Sequence, residues 1–182
     1  MLRRMGILCI SGLMSKSATT MNNELSKLFR AIIQAALLAG TLDIVAACLQ
    51  AFLMNGVSPV RVLQFVASGL FGPSAFTSGF QGAASGLGLH YLIAYAWTVV
   101  FFFLYPLVKK SLPKTAQNLA IMGIVYGGFV WCVMNFLVLP NSNIPQRPFN
   151  PVNASIGAGI LMLCIGVPLA WCARRYYADT PQ

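Results

Sequence analysis

This chain has almost no acidic side chains: three in 182 residues, Glu24, Asp43 and Asp179, against twelve lysines and arginines. Histidine is scarcer still. The only one, His90, has no acid near it in sequence, so no structural zinc site is expected and no metal ligand is assigned. A haem bundle wants paired axial ligands, and a lone histidine does not supply them. There is no C-x-x-C pair, and Cys48, Cys132, Cys164 and Cys172 read as small apolar packing residues. The glycine-rich stretch before His90 has no strand ahead of it and no G-K-[ST], which excludes a phosphate-cradling loop. No cofactor is expected. Charge of either sign amounts to 8% of the chain, where a soluble domain carries about 25%.

What fills the sequence instead is apolar, at 58%. A helix needs about 20 mainly apolar residues to cross a bilayer, and four segments meet that length. They run over 31–54 (AIIQAALLAGTLDIVAACLQAFLM), 84–108, 117–139 and 152–173. Pro140 stops the third, and Pro168 falls inside the fourth as a kink. The expected fold is an all-α integral membrane protein, a bundle of four transmembrane helices. Its parts are an amino-terminal extension over 1–30, a membrane domain over 31–175 and a tail over 176–182.

Ten of the twelve basic residues fall on one side of this layout: Arg3, Arg4, Lys16, Lys27 and Arg30 before the first span, Lys109, Lys110 and Lys114 between the second and third, and Arg174 and Arg175 after the fourth. The positive-inside rule then puts both termini in the cytoplasm. The net charge of +9 is read as a topology signal, with lipid headgroups as its partner and nucleic acid excluded, because the charges are split among short runs. Residues 1–20 have the charged start of a signal peptide without a small-x-small cleavage pattern. They are expected to be a disordered or membrane-surface extension, or to precede a true start at Met21. Cys9 follows Leu8 and lacks the setting of a lipoprotein signal.

Between the first two spans, PVRVLQFVASGLFG places Val60, Leu63, Val66, Ala67 and Leu70 at helical spacing. The piece is too short to cross, so it is expected to form an interfacial or re-entrant helix. The segment Pro140–Pro151 holds four prolines in twelve residues and reads as a stiff lid carrying Arg147. With Arg61 it supplies the only cations of the outer side, either plain surface charges or a cap that attracts an anion or an acidic headgroup.

Asp43 is the one acid inside a span. A carboxylate near the bilayer centre survives only with a partner, a proton or a water-filled cavity. Counting 1.5 Å of rise per residue from the inner ends puts Asp43 and Tyr95 level, each roughly 18 Å deep. Gln50, His90, Asn135 and Ser155 come out nearer the outer surface, at about 25 to 29 Å. The expectation is a polar funnel with Asp43 and Tyr95 at its floor and the other four at its mouth. The competing expectation is that each polar group only bonds a neighbouring helix. On that count Asp43 and His90, the only acid/base pair, are more than one turn apart, so no catalytic residue is assigned and an enzyme ranks last. Gly123, Gly127 and Gly128, with Gly157, Gly159 and Gly166, predict close packing of the third and fourth spans. The aromatic run Trp97, Phe101, Phe102, Phe103 and Tyr105 is expected to face lipid and the inner interface.

Taken together, GTLDIVAA, ASGLFGPSAF, HYLIAYAWTVVFF with YP, YGGFVWCVMNF with LP, and NASIGAGILMLCIGVPLA resemble an uncharacterised group of small bacterial four-span inner-membrane proteins, over Gly40 to Tyr177. The layout is also distantly similar to YagU-type membrane proteins, although the spacing from His90 to Pro106 departs from that pattern. The resemblance implies a bacterial inner membrane and four helices, and no reaction. Two function classes stay open. One is a small transport or channel-like protein moving a proton, ion or solute with Asp43, paired as a homo-oligomer through its glycine faces. The other is a non-catalytic partner or assembly factor for another membrane protein, with the outer lid as its contact surface.

Overall fold

A computed structural model of the chain describes residues 2–111, 118–145 and 150–179, with side chains described from residue 21 to 178 within those ranges. Among the described residues there is no strand. The helices are α1 (Leu2–Asn55), α2 (Pro59–Phe71), α3 (Gly79–Ser111), α4 (Leu119–Val133), α5 (Pro151–Ile160) and α6 (Val167–Asp179). A 3-10 turn, Gly72–Phe76, joins α2 to α3, and π turns extend α4 over Met134–Val138 and link α5 to α6 over Leu161–Gly166. Four helical stretches are long and apolar enough to cross a membrane: Met21–Asn55, Gly79–Ser111, Leu119–Val138 and Pro151–Ala178. The protein is a multi-pass helical bundle of the membrane.

The helix starts follow local chemistry. The Asn150 carboxamide oxygen accepts from the backbone N–H groups of Val152 and Asn153, at 3.0 and 3.1 Å, with Pro151 in the first helical position. Asn118 caps α4 in the same way through Ala120, and Ser58 caps α2 ahead of Pro59. Gly72 ends α2 with φ 63°, a left-handed conformation that suits glycine. The distortion expected at Pro168 takes the form of the π turn just ahead of it, where a wider helical turn accommodates a ring that cannot donate.

Packing divides the bundle into two pairs that both lean on α1. The first is α4 with α5 and α6. A Cβ on Gly166 would run into the Gly123 carbonyl, and one on Gly127 into the Met162 Cα and the Leu161 carbonyl at 2.6 Å. The second pair is α2 with the start of α3, where Gly86 lies against the Leu63 carbonyl and Gly82 against that of Ala75. Because lipid offers helices no hydrophobic reason to associate, such backbone-to-backbone contact does the holding.

The two pairs meet at one end through aromatic rings. Tyr126 donates to the Trp97 carbonyl, Phe101 packs on Tyr126 with centroids 4.6 Å apart, and Tyr177 stacks on Tyr105 at 5.3 Å while donating to the Phe102 carbonyl. This corrects the expectation for the aromatic run: Phe101, Phe102 and Tyr105 are buried in the core, and Phe103, 64% exposed, is the one that faces outward. Apolar rings gain as much from each other as from lipid, so the rings spaced three and four residues apart turn inward. Lys27, Lys109, Lys110, Arg174 and Arg175 sit at this same end of the bundle.

Helix α2 is oriented against its hydrophobic pattern. Its buried residues are Gln64, Ala67 and Ser68, whereas Val60, Leu70 and Phe71 are exposed. The Gln64 amide donates to the Gly79 carbonyl at 2.9 Å, so this polar side chain is spent on the protein, while Val60, Leu70 and Phe71 at the helix ends are left outward.

Candidate functional site

Away from the aromatic end the two pairs diverge, and a cleft of about 710 Å³ opens between them with α1 along one wall. Its deep end is lined by Asp43 and Ile165, and its outer end by Pro140, Pro145 and Asn150. Trp97 of α3 and Trp131 of α4 both line it. Trp97 is held by edge contacts to Tyr126 and Phe129, at 6.5 and 6.1 Å between centroids, and Trp131 by Phe136 at 5.9 Å.

Asp43 is half-buried, and among the described residues no group hydrogen-bonds its carboxyl. Its electrostatic neighbours are His90 and Cys164. His90 donates Nε2–H to the Gly40 carbonyl at 2.9 Å, one turn from Asp43 on α1. Tyr91 adds a second link to α1, its hydroxyl 2.8 Å from that of Thr41. Gly40 makes this approach feasible: a Cβ there would lie 3.1 Å from that of Ala94 and 3.2 Å from the Tyr91 ring. These contacts fix the register between α1 and α3 and revise the depth count. His90 is level with Gly40, close to Asp43, instead of near the outer mouth. The count took Ala31 as an inner end, but α1 has no end there and carries Lys27 and Arg30 within its helix.

The remaining candidates divide. Gln50 and Asn135 line the cleft with Asp43 and His90. The Gln50 amide donates to the Asn153 carbonyl at 3.2 Å, and that of Asn135 to the Trp131 carbonyl at 2.9 Å, so each leaves its amide oxygen as the acceptor still available. Tyr95 packs against the aromatic core, and Ser155 is exposed and bonds back to the Pro151 carbonyl at 2.8 Å; neither lines the cleft. Arg61 lines a second hollow of about 810 Å³ beside Asn55 and Asn153. Its guanidinium lies 4.6 Å from the Phe76 ring centre and donates to the Phe76 carbonyl at 3.3 Å. Arg147 lies outside the described residues.

No family model, no curated protein and no solved structure matches this chain.

The chemistry of the cleft is therefore read from its own groups. It combines one carboxyl, one imidazole whose Nδ1 is uncommitted, two indoles and several amide oxygens. Trp131, Trp97 and Phe65 were not singled out as site residues by sequence reasoning. Their signal was spacing: Trp131 lies one turn from Gly127, on the face of α4 that meets the π turn.

Proposed function

We propose that this is a small transport or channel-like protein of the bacterial inner membrane, which admits a proton, ion or small solute to the cleft and holds it at Asp43. The observation that carries the reading is the Asp43 carboxyl without a protein hydrogen-bond partner at the deep end of a large cleft. A carboxyl placed so costs several kcal/mol in hydrocarbon and is retained where water or a ligand reaches it. A four-span chain has little room for a pore of its own, so flux through it involves a second copy.

The finer placement belongs to the same proposal. Gly40 to Tyr177 resembles the bacterial inner-membrane group, and the basic residues gathered at one end favour cytoplasmic termini. Helix α2, with Val60, Leu70 and Phe71 outward, suits a re-entrant or interfacial position in contact with lipid. Cysteines introduced at Ser58 and Ser142 in a cysteine-free background are expected to react with a membrane-impermeant maleimide from the periplasmic side. Labelling from the cytoplasmic side alone reverses the orientation.

The function is tested in liposomes loaded with a pH-sensitive dye. The parent protein is expected to dissipate an imposed pH gradient, and Asp43→Asn to fall to the rate of protein-free liposomes. If the parent moves nothing and instead co-purifies with a stoichiometric membrane protein, transport is the wrong class and an assembly partner takes its place.

A further inference from the structure

We propose that the cleft takes a lipophilic organic monocation, an ammonium or phosphonium carrying an apolar body, with its charge against Asp43 and its body among the rings of Trp97, Trp131 and Phe65. This rests on the reading of the cleft as a solute site and names the class of solute.

The sign of the charge follows from what the walls offer. Among the described residues no lysine or arginine lines the cleft, and its one carboxyl has no protein hydrogen bond. The amides of Gln50 and Asn135 each commit one N–H to a backbone carbonyl and leave their oxygens as acceptors. His90 commits Nε2–H to the Gly40 carbonyl. Among the described residues, an anion would meet a carboxyl with no lysine or arginine lining the cleft to offset it.

The kind of cation follows from size and lining. No three His, Cys, Asp or Glu among the described residues come together to hold a transition metal ion. A volume of about 710 Å³ instead falls in the range of pockets that enclose a drug-sized molecule. Indole faces attract a diffuse cation more strongly than any other side-chain ring, and do so best where water is excluded. Both indoles are braced by neighbouring rings.

The test pairs tetraphenylphosphonium with tetraphenylborate, ions of the same shape and opposite charge, on the purified full-length protein in detergent by equilibrium dialysis. Tetraphenylphosphonium is expected to bind saturably, and tetraphenylborate only to partition into micelles. Asp43→Asn is expected to weaken phosphonium binding on the order of 30-fold or more, as removal of a desolvated charge partner does. Asp43→Glu, which keeps the charge, should retain it, and this separates loss of the site from loss of the fold. Trp131→Leu should weaken binding roughly 3- to 30-fold through the lost cation–π contact. Equal saturable binding of both ions, or Asp43→Asn binding phosphonium like the parent, overturns the inference. Proton flux in liposomes without phosphonium binding overturns it too and leaves the transport reading standing. Asp43-dependent phosphonium binding without any flux supports it and sinks transport instead.

Discussion

Gly166→Ala is expected to destabilise the protein by about 3 kcal/mol or more, the upper range for forcing a methyl group into a packed interface. The reason is that nothing nearby can yield. A Cβ at position 166 meets the Gly123 carbonyl oxygen, then the Gly123 carbonyl carbon at 2.6 Å and its Cα at 3.2 Å, all backbone atoms of α4. Relief requires α4 to separate from the π turn and α6, which undoes the reciprocal close approach, where a Cβ on Gly123 would lie 2.7 Å from the Gly166 carbonyl carbon and the Val167 nitrogen. Gly159→Ala is the control on the same span, because its Cβ would meet nothing within 4 Å. It should match or slightly exceed the parent, since alanine favours the helix over glycine by about 1 kcal/mol. Unfolding by sodium dodecyl sulfate titration from mild detergent, followed by circular dichroism, separates the two. Equal midpoints for both variants would show that the helices do not pack as described.

Gly86→Ala is expected to have an effect of similar size, about 3 kcal/mol, but on a different element. Its Cβ would fall on the Leu63 carbonyl oxygen, with the carbonyl carbon at 2.7 Å and the Ala67 nitrogen at 3.2 Å. The element displaced is α2, and with it the Gln64 bond to Gly79 and the Phe65 side chain that lines the cleft. Limited proteolysis should cut Gly86→Ala within Pro59–Phe71 under conditions where the parent is intact. Gly88→Ala, two residues on and with open space around it, should behave as the parent does. Cleavage of both alike would argue that α2 is not docked through Gly86.

The spans were legible because length and hydropathy are sufficient for them: a run of apolar residues long enough to cross leaves its backbone no alternative in lipid. Asp43 was legible for the complementary reason, as a charge where charge is costly. The Gly123–Gly166 seam could also be read, since small residues spaced along a span have few other uses. Register was not legible. Hydropathy marks where a helix enters lipid but not where it crosses its neighbour, so His90 was set too far out until its bond to Gly40 fixed the level. Nor could apolar pattern say which face turns inward. Phe102 inside and Phe103 outside are chemically alike, and in α2 the polar Gln64 is the buried one because its donor finds Gly79. Ser155 and Tyr95 carried polar groups that their own helix or an aromatic neighbourhood absorbed.

The tightest contacts join segments that follow one another along the chain. Helix α2 closes on the beginning of α3 across one short turn, and α4 closes on the helix that comes next. Each pair can reach its native seam while the ribosome is still at work, before any distant partner has emerged. Helix α1 runs along both pairs and touches each of them. The cleft is the gap left where two such locally closed pairs share a scaffold helix but no seam with each other.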